Sequence, residues 1–200
     1  MPVKNGYAAF VRKGKSKRRK LDDYETPESA IRPLTSWYRD LFLGSDPILE
    51  PAAGSGRMAK VLREETNSKV YESDIKQGKD FLKRKEKWPG HIITNPPYKD
   101  NLPEKFARHA LKLAKGKVAL LVEGKWLWGS KRANGLFEEY IPETVIVLSS
   151  RIYFHEGSGK PIKSQFFSHC WVVWPSEENR LTNEETQLWI VDQNKDSYER

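Results

Sequence analysis

The tetrapeptide Asn95-Pro96-Pro97-Tyr98 follows the apolar run His91-Ile92-Ile93-Thr94 and limits what this chain can build more than any other stretch. Two consecutive prolines lack N–H groups and hold φ fixed, so neither a ladder nor a helix continues through them. The apolar run therefore reads as a buried strand ending in a preset loop, which is where an open α/β sheet places its ligand crevice. There the Asn95 side-chain oxygen and the Pro96 carbonyl are two acceptors beside the Tyr98 ring, an arrangement that suits a planar amine. Taken alone, the tetrapeptide also reads as a proline-rich turn after a core strand.

Some forty residues upstream, Pro47-Ile48-Leu49 meets Glu50-Pro51-Ala52-Ala53-Gly54-Ser55-Gly56, followed by the helix-like Arg57 to Glu64. Strand, glycine turn and helix make a nucleotide-binding βα unit, in which Gly54 and Gly56 let the backbone turn tightly and approach a ligand. Glu50, at the strand tip, can face an ammonium group. A dinucleotide fold is the rival; its G-x-G-x-x-G fingerprint meets Ala59 at the third position, which the pattern sometimes allows, so two glycines decide little. Lys69 to Asp74 reads as the second strand, with Asp74 at its tip about twenty residues past Gly54, placed to bond both hydroxyls of a ribose. Glu72 lies further inside that strand.

With Gly78-Lys79-Asp80-Phe81, these motifs resemble in kind and order the amino-group methyltransferases that use S-adenosylmethionine, most of all small phage-type DNA N-6-adenine methyltransferases. The resemblance extends from about Asp23 to Trp174. It implies an α/β class I methyltransferase fold, Rossmann-like, with a mostly parallel seven-stranded sheet, helices on both faces and an antiparallel last strand. It implies S-adenosylmethionine as the cofactor, held by Tyr24, Thr26, Ala52, Gly54, Gly56 and Asn95, with Glu50 at the ammonium. Asp74 would take the ribose, and Asp80 and Phe81 the adenine. Asn95, Pro96, Pro97 and Tyr98 become the catalytic motif, with Tyr98 stacking on an extruded base. A sulfonium donor needs no metal, and the four histidines and one cysteine show no metal-ligand spacing.

The segment Asp23 to Glu28 resembles the one that closes over the methionine end of the cofactor. It also reads as a helix start, with Thr26 as N-cap, Pro27 at the first helical position and Glu28 in the first turn. Leu102 to Ala114 has the spacing of an amphipathic crossover helix, and Val118 to Val122, Thr144 to Leu148 and Phe166 to Trp174 read as strands. The last, rich in aromatics, resembles the closing strand of the phage-type enzymes and reads equally as core. Trp126, Trp128, Lys131 and Arg132 either line a base pocket or pack.

Two hundred residues suit one domain, taken as 23–200 behind a basic arm, 1–22. No apolar run reaches eighteen residues and the polybasic start lacks an apolar core behind it, so a soluble, cytoplasmic chain without membrane contact is expected. Lysine and arginine exceed aspartate and glutamate by 35 to 27, a net charge of +8. Much of the excess lies in Arg12, Lys13, Lys15, Lys17, Arg18, Arg19 and Lys20, which read as a disordered arm. Such an arm binds phosphate backbones by counterion release, with nuclear localisation or solubilisation as its alternatives. Lys160, in the basic loop Gly157 to Lys163, reads as a second nucleic-acid contact or equally as part of an ordinary hairpin loop. The expected reaction is methylation of the adenine N6 amine of DNA. Alternatives are an RNA amine, a protein glutamine amide, or a non-catalytic nucleic-acid-binding module. Only a short segment separates Asp80 from Asn95, so no target-recognition domain is inserted there. The enzyme is then weakly specific, or specific through loops such as Lys99 to Pro103 and Gly157 to Lys163, or dependent on a partner subunit or oligomer.

Overall fold

A computed structural model describes residues 24–37, 46–150, 152–156 and 168–194. In chain order the elements are β1 (Tyr24–Glu25), α1 (Glu28–Trp37), β2 (Ile48–Glu50), α2 (Arg57–Glu65), β3 (Val70–Glu72), β4 (His91–Thr94), α3 (Leu102–Leu113) and β5 (Val118–Glu123). They continue with the one-turn helices α4 (Ser130–Ala133) and α5 (Leu136–Glu139), then β6 (Thr144–Leu148), β7 (His155–Glu156), β8 (His169–Trp174) and β9 (Gln187–Val191).

Seven strands form one sheet in the order β3-β2-β4-β5-β8-β6-β9, while β1 and β7 make a separate antiparallel pair. Of the seven, β8 alone runs against its neighbours β5 and β6. The mostly parallel seven-stranded sheet is as expected, with one correction: the antiparallel strand is the penultimate one. β9 follows it and pairs in parallel with β6. Its apolar residues Leu188 and Ile190 are 62% and 71% exposed, so no burial pattern marks it in the sequence. The chain between β8 and β9 is pinned by Arg180, only 4% exposed, whose guanidinium donates to the carbonyls of Leu111, Ala114, Gly116 and Pro175. It thereby satisfies carbonyls at the end of α3 that have no partner further along the helix.

The inner strands are buried on both faces, which is why they read as continuous apolar runs. Ile48, Ile93, Leu121 and Trp171 pack with Ile31 and Leu34 of α1 and Met58 and Leu62 of α2. Their neighbours Leu49, Ile92, Leu120 and Val172 pack with Phe106, Ala110 and Leu111 of α3 on the other face. The aromatics of β8 belong to this core. Trp171 and Trp174 are fully buried, and their indole N–H groups donate to the carbonyls of Ala30 (2.6 Å) and Tyr140 (2.9 Å). Among the described residues no helix is long and apolar enough to cross a membrane.

This order fixes where a ligand can sit. From β2 the chain passes through α2 to β3 on one side, then returns to β4 on the other side of β2. The loops after β2 and β4 therefore diverge, and a crevice opens between the carboxyl ends of the two strands.

Candidate active site

A cavity of about 310 Å³ occupies that crevice. Its walls are the turn from Glu50 to Met58, the connection from Asp74 to Leu82, the loop Asn95 to Tyr98, Glu25 of β1 and Thr26 just after it; Leu102 and Phe106 of α3 close one side. Of the residues expected to hold a cofactor or do chemistry, Thr26, Glu50, Ala52, Gly54, Asp74, Asp80, Phe81, Asn95, Pro96, Pro97 and Tyr98 all line it. Gly56 does not. It adopts φ +83° as it leads into α2, and a Cβ there would lie 3.2 Å from Glu72 Oε2, so its part is to let the turn close. Tyr24 supplies backbone to β1. Arg12, Lys13, Lys15, Lys17, Arg18, Arg19, Lys20 and Lys160 lie outside the described residues.

The four acids of this region have different surroundings. Glu50 ends β2 at 1% exposure, and its Oε2 has no hydrogen-bond partner. Burial, with a contribution from the Glu72 charge, pushes its pKa up to about 8. Asp74 lies two residues past β3, which ends earlier than expected, and it opens a 3₁₀ turn, Ile75–Gln77. Its Oδ2 accepts the Gly54 N–H at 2.9 Å and its Oδ1 the Lys76 N–H at 2.8 Å, so one carboxylate joins the glycine turn to the next wall. Glu72, by contrast, is occupied on the surface by Arg63 at 3.2 Å. Asp80 accepts the Leu82 N–H at 3.1 Å beside Phe81, whose ring packs against Phe106 at 5.1 Å.

Asn95 immediately follows β4, and both ends of its amide are engaged. Its Nδ2 donates to Thr26 Oγ1 at 3.0 Å, and its Oδ1 accepts from the Tyr98 hydroxyl at 2.7 Å. That hydroxyl also lies 3.3 Å from the Leu121 carbonyl of β5, so Tyr98 is held by its polar tip as well as by its ring. The Thr26 hydroxyl, expected to cap α1, thus has a partner in Asn95, while Pro27 supplies the carbonyl that accepts from Ala30. Trp126 is 8% exposed, edge-on to Phe137 and covered by the Arg132 guanidinium at 4.5 Å, which makes it a packed residue; Trp128 is exposed.

The sequence did not single out the apolar walls Met58, Leu102 and Phe106, or Ile75 and Lys76 between the two acids. The signal for Ile75 and Lys76 lay in the spacing: only five residues separate Asp74 from Asp80, and a chain held at both ends over that length must run along the cavity. Glu25, which pairs with Arg57 at 3.2 Å on the cavity wall, was read from the sequence only as part of the segment Asp23 to Glu28.

No family model and no curated protein matches the sequence. Solved structures do resemble it in fold. A Pyrococcus horikoshii protein assigned as an RNA methyltransferase superposes with a TM-score of 0.54 at 11% identity, over 78% of this chain and 87% of that one. The type IIG restriction endonuclease BpuSI gives 0.56 at 13% identity, over 76% of this chain but 25% of its own. A modification subunit assigned to a type I restriction enzyme of Vibrio vulnificus YJ016 gives 0.52 at 13%, over 88% and 49%. The chain thus spans about a quarter and about half of the two restriction proteins. At these identities the likeness establishes the fold: a class I methyltransferase architecture, Rossmann-like.

Proposed function

We propose that this chain is a methyltransferase that moves the methyl group of S-adenosylmethionine to the N6 amino group of adenine in DNA. The observation that carries the proposal is that Glu50 and Asn95 line one cavity from neighbouring strand ends. One is a buried carboxylate oxygen without a partner, the other an amide whose oxygen is held in place beside a proline carbonyl.

The residues fit the donor. Glu50 suits its ammonium group, since a buried carboxylate is costly until a cation meets it. Each Asp74 oxygen accepts one backbone N–H and keeps a lone pair for a ribose hydroxyl. Asp80 and Phe81 wall the place for adenine, the carboxylate taking the exocyclic amine. When bound, the donor supplies a methyl group already activated by positive sulfur. The chain's own part is positioning and polarisation. An exocyclic amine on an aromatic ring is a poor nucleophile because its lone pair is delocalised. Asn95 Oδ1 and the Pro96 carbonyl accept its two hydrogens, favour a pyramidal nitrogen and turn the lone pair toward the methyl. Tyr98 offers a ring face to a base taken out of the stack.

The net charge of +8 and the basic residues Arg12 to Lys20 support a nucleic-acid substrate, and the two restriction proteins support DNA and a partner subunit or oligomer that supplies target recognition. Methylation of an RNA amine is the second reading, favoured by the Pyrococcus horikoshii neighbour that this chain matches over most of its length. Calorimetric titration with S-adenosylmethionine, followed by labelled donor with duplex DNA, structured RNA and protein separately, tests both steps. Donor binding with label in DNA alone is expected; label in RNA or protein would move the substrate, and absence of donor binding would end the proposal.

Glu50 gives the proposal a pH signature. With its folded pKa raised to about 8, the folded chain keeps a proton that the unfolded chain releases near 4.5, so stability falls as pH rises between those values. Glu50→Gln is therefore expected to raise the melting temperature at pH 8 by on the order of 5 °C, with the gain vanishing toward pH 4.5. The same change should weaken donor binding about tenfold, through loss of a charge-assisted contact. Thermal melts and titrations across that pH range read both effects; unchanged donor affinity would remove Glu50 from the ammonium.

A further inference from the structure

Asn95 can serve an amine only if its oxygen, and not its nitrogen, faces the substrate. A primary amide can turn by 180° about its last torsion at little steric cost, and the turned form would present two N–H donors to the two N–H donors of the amine. What prevents the turn is therefore part of the chemistry.

From the contacts around this amide we infer that Thr26 is a positioning residue, whose hydroxyl sets the polarity of Asn95 by accepting its Nδ2–H. The pair is 3.0 Å apart and joins residues 69 positions apart in the chain. Thr26 is 5% exposed, so water competes poorly for the bond. The opposite end of the amide is fixed by Tyr98 at 2.7 Å. Tyr98 alone does not settle the matter, because its hydroxyl can give its one proton to the Leu121 carbonyl at 3.3 Å and then accept from a turned Nδ2. With Thr26 as acceptor at 3.0 Å, the Nδ2 end of the amide is bonded to the cavity wall while the Oδ1 end is bonded to the Tyr98 hydroxyl. Thr26 belongs to the short segment between β1 and α1 that forms one wall of the cavity, so the wall contributes amide orientation as well as enclosure.

The inference rests on Asn95 as the amine acceptor, and its test separates the two. Thr26→Val keeps the shape and removes the acceptor; Thr26→Ser keeps the acceptor. In the valine variant turnover is expected to fall about tenfold, as for other groups that act by orienting a reacting side chain, with donor affinity unchanged within about twofold. Serine should restore most of the loss. In an Asn95→Ala background the valine change should cost nothing further, because the two residues act as one unit. Independently of activity, the Asn95 side-chain NH₂ signals in a ¹⁵N NMR spectrum should shift and exchange faster with water in Thr26→Val than in the parent chain. Unchanged NH₂ signals, or an equal turnover loss in the Asn95→Ala background, would overturn the inference. A valine variant that loses donor affinity with turnover intact would make Thr26 a donor contact instead. If the parent chain methylates nothing while its NH₂ signals respond as expected, the Asn95 assignment has failed and the contact stands.

Discussion

Asn95→Ala is expected to lower methyl transfer by about 10²-fold or more, the usual cost of losing one preorganised polar contact to a reacting group. The loss should fall on turnover. Asn95 has no part in the glycine turn, and the Glu50 and Asp74 arrangements do not pass through it, so donor affinity should change little. Folding should also survive. The change leaves the Tyr98 hydroxyl its Leu121 carbonyl, removes one partner from the Thr26 hydroxyl at the cavity wall, and leaves the cores on both faces of the sheet untouched. Single-turnover assays at saturating donor and substrate isolate the step. Turnover within about threefold of the parent chain would remove the amide from the chemistry.

Asp74→Ala carries the second large effect. It deletes the acceptor of two backbone N–H groups, Gly54 and Lys76, and with them the join between the glycine turn and the following wall. The proposed ribose contacts go too. Each group left unsatisfied in a poorly hydrated place costs about 1–3 kcal/mol, so donor affinity should drop by on the order of 100-fold. Asp74→Asn should recover part of this, because its one carbonyl oxygen can still accept from one of the two amides. Glu72→Ala serves as the control: that carboxylate is engaged by Arg63 on the surface, and its removal should leave donor binding nearly unchanged. If calorimetry finds the reverse pattern, with Glu72 essential and Asp74 dispensable, the ribose lies elsewhere.

The features legible in the sequence are those fixed by local chain chemistry. Two prolines after an apolar run force a strand to stop, and glycines before a helix force a turn. Both therefore land at strand ends, and the residues beside them, Glu50 and Asn95, land in one crevice. The acids on the second wall were readable by spacing, although the strand before Asp74 ends at Glu72 and not at its tip. What escaped the sequence depends on contacts between distant segments or on elements without a buried pattern. The Thr26–Asn95 bond spans 69 positions, so Thr26 reads from sequence as a helix cap or a cofactor contact and not as the partner of an amide. Tyr98 reads as a ring; only the fold reveals that its hydroxyl reaches Asn95 and the Leu121 carbonyl. β9 escaped because four of its five residues are exposed, which removes the alternation that marks a half-buried strand.

If a methyl group passes from this cavity to the amino nitrogen held by Asn95, the product reports it most directly. The parent chain and Asn95→Ala should each be incubated with methyl-labelled S-adenosylmethionine and an adenine-containing DNA duplex, and the DNA then digested to nucleosides and separated. Label is expected in N6-methyldeoxyadenosine from the parent chain, with Asn95→Ala reduced about 10²-fold. Label in a ring-methylated nucleoside, or equal label from both proteins, would contradict the proposed transfer.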